Sequence, residues 1–96
     1  INALKIEVRP TTKNDIMQRQ LPPNISGLVI TKIEPNSPVN YLKVNDIIVE
    51  AGKRKIKSPN QLNNLVNTAL KSSNKTILIA IFNNQNQKRY IGVKLD

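Results

Sequence analysis

Residues 27–56 read GLVITKIEPNSPVNYLKVNDIIVEAGKRKI, and the order of apolar and turn signals in this stretch decides the fold. The unbroken Leu28-Val29-Ile30 predicts a strand over residues 27–33 that is buried on both faces. A strand with one wet face would instead alternate apolar and polar residues. Pro35-Asn36-Ser37-Pro38 is a turn signal. Ser37 is placed to cap a single helical turn that Pro38 opens and that runs to about Leu42. A strand over residues 44–49 follows, and Gly52-Lys53-Arg54 turns the chain back through Lys55 and Ile56.

On the N-terminal side, Leu4-Lys5-Ile6-Glu7-Val8 alternates with period two. This predicts a strand with Leu4, Ile6 and Val8 on one face, ended by Pro10. Residues 12–20 suit a short helix with Ile16 and Met17 inward, and Pro22-Pro23 forces extended chain after it. On the C-terminal side, Ser58 as N-cap and Pro59 in the first turn open the clearest helix, which runs to about Lys71. Leu62, Leu65, Val66, Ala69 and Leu70 recur at the spacing of one apolar stripe. A strand over residues 76–82, a polar loop over 83–87 and a returning strand over 88–95 complete the pattern. The order predicts one α+β domain over residues 1–96: a mostly antiparallel sheet or partial β-barrel with one long helix and one or two short ones.

Composition removes several chemistries. Without Cys or His there are no disulfides, no thiol nucleophile, no Ser-His-Asp arrangement and no ordinary zinc site. The carboxylates Glu7, Asp15, Glu34, Asp46, Glu50 and Asp96 are scattered, with no spacing suited to a metal or to paired acid–base work. No cofactor is expected, and no apolar run has the length of a membrane span. The chain opens at Ile1 directly into an alternating pattern, so we read it as a fragment of something longer.

Lys and Arg outnumber Asp and Glu by 15 to 6, a net charge of +9. That balance admits nucleic acid, an anionic membrane or an acidic protein as a partner, against the simpler reading of a solvated basic surface. Lys53-Arg54-Lys55-Ile56-Lys57 is the densest basic segment. It lies on a predicted hairpin with no aromatic beside it to stack a base, which favours a solvated tip over nucleic-acid contact.

The central stretch resembles the signature of bacterial PDZ domains: Gly27 and three apolar residues, a turn with Ser37-Pro38, then Leu42, Asp46, Ile47, Ile48 and a short hairpin. The later helix from Pro59 resembles the family's peptide-groove helix. The strand, short helix and Pro-containing link before Gly27 are similar to the C-terminal, second PDZ domain of HtrA/Deg-type (Do-like) serine proteases. The chain departs from the family at Tyr41 and Asn45, where the family has Gly, and at Ala3, where its carboxylate-binding loop carries Gly.

The resemblance implies a domain without catalytic residues of its own, cut from a serine endopeptidase of the periplasm or cell envelope, which binds peptide by strand addition. Carried onto this chain, Asn2, Ala3 and Leu4 form the carboxylate loop, and Lys5, Ile6, Glu7 and Val8 the accepting strand. Asn63, Val66 and Leu70 line the groove from the helix, while Leu62, Leu65 and Ala69 face the core. Val66 and Leu70 read equally well as core, and so do Leu4 and Ile6. The implied partners are peptides or unfolded segments, the parent's protease domain and its other PDZ domains. The alternatives are a basic nucleic-acid-binding domain and a PDZ module of a secretion-system component or another processing protease.

Overall fold

A computed structural model describes residues 3–95. They form β1 (Ile6–Pro10), α1 (Lys13–Arg19), β2 (Leu28–Ile33), β3 (Ile47–Ala51), β4 (Arg54–Lys55), α2 (Pro59–Leu70), β5 (Thr76–Phe82) and β6 (Lys88–Lys94). The strands make one six-stranded sheet in the order β1-β2-β3-β5-β6, with β4 paired to β3 off this path. All pairings are antiparallel. This is the α+β architecture expected from the element order.

The apolar run in β2 is explained by what covers each face. Leu28 and Ile30 point into the main core, with Leu4, Ile6, Ile48, Ile56, Leu62, Val66 and Ile79. Val29 points the other way, into a smaller cluster with Leu21, Ile47, Val49 and Ala80, against which Ile16, Ile25 and Phe82 pack. So α2 closes one face of the sheet, while α1 and the segment after it cover part of the other. Gly27 is needed where β2 enters the sheet. A Cβ there would sit 2.5 Å from the Ile48 carbonyl oxygen and 2.9 Å from an Ile47 methyl, closer than such atoms pack.

Helix boundaries follow from caps. Thr12 and Asp15 form a capping box around the start of α1, and Gln20 closes it in the left-handed region. The Ser58 side chain accepts from the Gln61 N–H at the start of α2, with Pro59 in the first turn.

Four sequence expectations change. The first strand begins at Ile6 rather than Leu4, because Lys5 has φ 54° and a left-handed residue cannot continue a strand. Residues 37–42 are successive turns instead of a helical turn: Asn40 donates to the Ser37 carbonyl at 3.2 Å and Leu42 to that of Val39 at 2.9 Å. β3 begins at Ile47, since Asn45 has φ 80°. Met17 is 76% exposed; α1 offers only Ile16 to the cluster below it. Tyr41 lies outside the left-handed region and is accommodated as an exposed turn residue.

Candidate peptide-binding edge

β1 ends the sheet on one side and has β2 as its strand neighbour among the described residues. Its ladder fixes which backbone groups face outward. Glu34 N–H bonds the Lys5 carbonyl and Thr11 N–H bonds the Gly27 carbonyl, so residues in phase with these point at β2. A bulge in β2, where Thr31 has no partner opposite Glu7 and Val8, shifts the phase on β2 and leaves the alternation of β1 unbroken. Ile6, Val8 and Pro10 therefore direct their backbone groups away from β2. Pro10 has no N–H, and its carbonyl accepts from Arg9 Nη1 at 3.2 Å.

α2 packs against both β5 and β1. Its orientation follows from Gln61, whose side-chain amide donates to the Lys55 carbonyl at 2.7 Å and accepts from the Lys57 N–H at 2.9 Å. With successive residues turned by about 100°, Leu62 and Val66 face the sheet, and Asn63 and Leu70 lie across the helix from Gln61, on the flank turned away from β4. Both are partly buried.

The candidate residues thus separate by burial. Asn2 lies outside the described residues. Ala3 is partly buried against the main core, Leu4 is fully buried and Ile6 nearly so. Lys5 and Glu7 are exposed, and Val8 is half-buried. Val66 is fully buried beside Leu62, so it belongs to the core, and a ligand would meet it only as the floor of a slot. Leu65, expected inward, is only partly buried because the centre of the stripe falls at Leu62 and Val66.

Sequence reasoning missed what holds the turn before β1. The buried Ser37 hydroxyl donates to the Leu4 carbonyl and accepts from the Val39 N–H at 3.0 Å. The Ser37-Pro38 pattern signals only a local cap, and no local signal shows a partner 33 residues away. Neither the Leu4 nor the Lys5 N–H has a hydrogen-bond partner among the described residues. Further along, Arg9 grips Asp15 through two 2.8 Å bonds and ties β1 to α1. This guanidinium is the main reason the Asp15 carboxyl is held well below the usual carboxylate range; Thr12 also donates to it. Asp46 takes the expected local role, accepting from the Lys43 N–H at 3.0 Å. No group of side chains suited to holding a metal ion occurs among the described residues, nor does a helix long and apolar enough to cross a membrane.

No family model matches the sequence, and a comparison with curated proteins finds no match. Among solved structures, the chain is similar to an HtrA-type protease, AlgW with decapeptide, with a TM-score of 0.71 and 20% identity. The match covers 95% of this chain and 27% of that one, so the chain spans about a quarter of that protein's length. It is also similar to the PDZ domain of EpsC from Vibrio cholerae, residues 219–305, with a TM-score of 0.59, 11% identity and 98% coverage of both chains. These two likenesses, which span nearly the whole chain, show that it has the PDZ fold.

Proposed function

We propose that this chain is a peptide-binding PDZ module of an HtrA-type serine protease of the cell envelope, without catalytic residues of its own, which takes extended or C-terminal peptide segments by strand addition to β1. The observation that carries the reading is the placement of an outward-facing edge strand beside α2, preceded by a turn whose Leu4 and Lys5 N–H groups have no partner among the described residues. A peptide carboxylate is the natural acceptor for such N–H groups. Charge-assisted bonds of this kind contribute roughly 1.5–3 kcal/mol each when water is excluded. Along the strand, Val8 offers its N–H and C=O, while Val66 at the floor and Asn63 and Leu70 on the helix flank receive side chains. The similarity to AlgW with decapeptide supports peptide as the ligand class.

Ala3, standing where the family's loop carries Gly, favours a second, C-terminal PDZ domain that helps assemble the parent oligomer over one that presents substrate. Titrating the domain with peptides ending in an apolar residue, and following backbone amide resonances, tests both levels. Peptide binding predicts saturable shifts at residues 4–8 and on the Asn63–Leu70 flank, lost when the terminal carboxylate is amidated. Shifts that ignore amidation would remove carboxylate capture. No saturable shift at this edge would leave assembly as its role.

A further inference from the structure

The opposite side of the sheet ends in β6, and its geometry differs from that of β1. All seven β6 residues pair with β5 without a register shift, from Lys88 opposite Phe82 to Lys94 opposite Thr76. Just beyond the two ends, Leu95 N–H bonds the Lys75 carbonyl and Asn83 N–H bonds the Gln87 carbonyl. Counting inward by twos, Arg89, Ile91 and Val93 exchange bonds with β5, whereas Lys88, Tyr90, Gly92 and Lys94 turn their N–H and C=O outward. None of these N–H groups has a partner among the described residues. This is a straight, unpaired ladder edge.

The side chains of those outward residues lie on the face of the sheet away from α2. Tyr90 is 61% exposed there, and Leu78, directly across from Gly92, is 39% exposed. A Cβ built on Gly92 meets nothing within 4 Å, so an open notch lies between Tyr90 and Lys94 with Leu78 at its side. Cations border this apolar strip. Lys94 stands at one end; at the other, Lys88 lies over the Tyr90 ring at 5.2 Å but is already ion-paired with Glu50 at 2.8 Å, so the uncompensated positive charge comes from Lys94 and the hairpin tip. The Gly52 N–H bonds the Leu78 carbonyl at 2.8 Å, which brings the basic tip carrying Lys53 and Arg54 alongside Leu78.

We propose that the β6 edge is a second strand-addition site, separate from the β1–α2 slot, whose occupant is an extended acidic segment of a partner protein with an apolar side chain seated over Gly92. The backbone ladder supplies sequence-independent pairing, the notch supplies a place for one side chain, and the surrounding cations set the sign of the ligand. A second copy of this chain fits poorly. In the antiparallel register that overlaps two β6 strands most fully, Tyr90 faces Gly92 and each Lys88 faces a Lys94, a like-charge pairing. The proposal gives a role to the basic hairpin tip, which the β1 site leaves unused.

The test uses the peptide acetyl-Glu-Val-Glu-Val-Tyr-Val-Glu-Val-Glu-amide, blocked at both ends so that carboxylate capture cannot act. Backbone amide resonances of the domain report where it binds. The expected result is saturable shifts at Tyr90, Gly92, Lys94 and Leu78 with residues 6–8 unmoved, and weaker binding as salt rises. Two surface variants, Lys94→Glu and Gly92→Val, should each weaken binding about tenfold, the first by charge and the second by filling the notch. Their folding is checked by an unchanged titration with a C-terminal peptide at β1 or, if β1 proves silent, by an unchanged amide spectrum outside β6. The proposal is overturned if the shifts fall on β1 and α2, if no residue of β6 shifts, if both variants bind as the parent does, or if a single-stranded oligonucleotide moves the same amides at equal affinity.

Discussion

The two outer strands of the sheet solve the same problem differently. An unpaired strand edge invites any extended chain to add to it, and proteins limit this with bulges, proline, charge or cover. β1 is short, is paired to a bulge in β2 opposite Glu7 and Val8, ends in Pro10 and lies beside α2. It is also anchored: Leu4 and Ile6 sink into the core, Ser37 holds the Leu4 carbonyl, and Arg9 grips Asp15. β6 is longer, has no register shift and takes β5 as its strand neighbour among the described residues, with Val93 in the core and Lys88 paired to Glu50 of β3; its outer edge is protected by cations. On the proposed function, this makes the β1 edge preorganised for a short, defined stretch of chain. The β6 edge selects by charge.

If anchoring is what distinguishes the edges, truncating their side chains should give very different costs. Leu4→Ala removes a fully buried side chain and should destabilise the domain by about 2–5 kcal/mol in chemical denaturation. Tyr90→Ala should stay within ~0.5 kcal/mol, as for other exposed positions. Comparable losses at the two sites would break the comparison.

Glycines sharpen it at a smaller scale. Gly27→Ala forces a methyl against the Ile48 carbonyl, beside the point where Thr11 bonds the Gly27 carbonyl and fastens the end of β1. It should cost about 1–3 kcal/mol. Gly92→Ala meets open space in an extended strand and should be neutral or raise stability by up to ~1 kcal/mol, since Gly loses more backbone freedom on folding. Thermal melts of the pair decide the point.

The smallest effect concerns the brace between β1 and α1. Arg9 lowers the Asp15 pKa, so the folded chain binds that proton less readily than the unfolded chain. The resulting stabilisation is complete above the ordinary Asp value of about 3.9 and is lost as pH falls below it. Asp15→Asn should cost about 1 kcal/mol near neutral pH, through the weakened cap and the lost ion pair. It should also flatten the acid limb of a stability–pH curve. An acid limb of unchanged slope would show that the brace contributes nothing to holding this end of β1.

Most elements were legible because their signals are local. Ser58-Pro59 and the apolar stripe to Leu70 mark α2, and the strand over Thr76–Phe82 is bounded as read from the sequence. Leu28-Val29-Ile30 announced a strand covered on both faces. What escaped was phase and direction. Lys5 carries no mark of a left-handed backbone, so Leu4 read as the first residue of a strand rather than as the last of a turn. Val66 and Leu65 are equivalent by spacing; which one sinks depends on how far α2 is rotated, and Gln61 bonding Lys55 and Lys57 sets that.

By itself, then, the sequence determined the order of elements, the caps, the absence of Cys and His chemistry and the excess of positive charge, because each follows from neighbouring residues or from composition. Tertiary structure alone decided which strands end the sheet, which backbone groups face outward along them, and where the cations fall relative to those edges. Pairing register and helix rotation arise from contacts between residues far apart in the chain, and no local pattern encodes them.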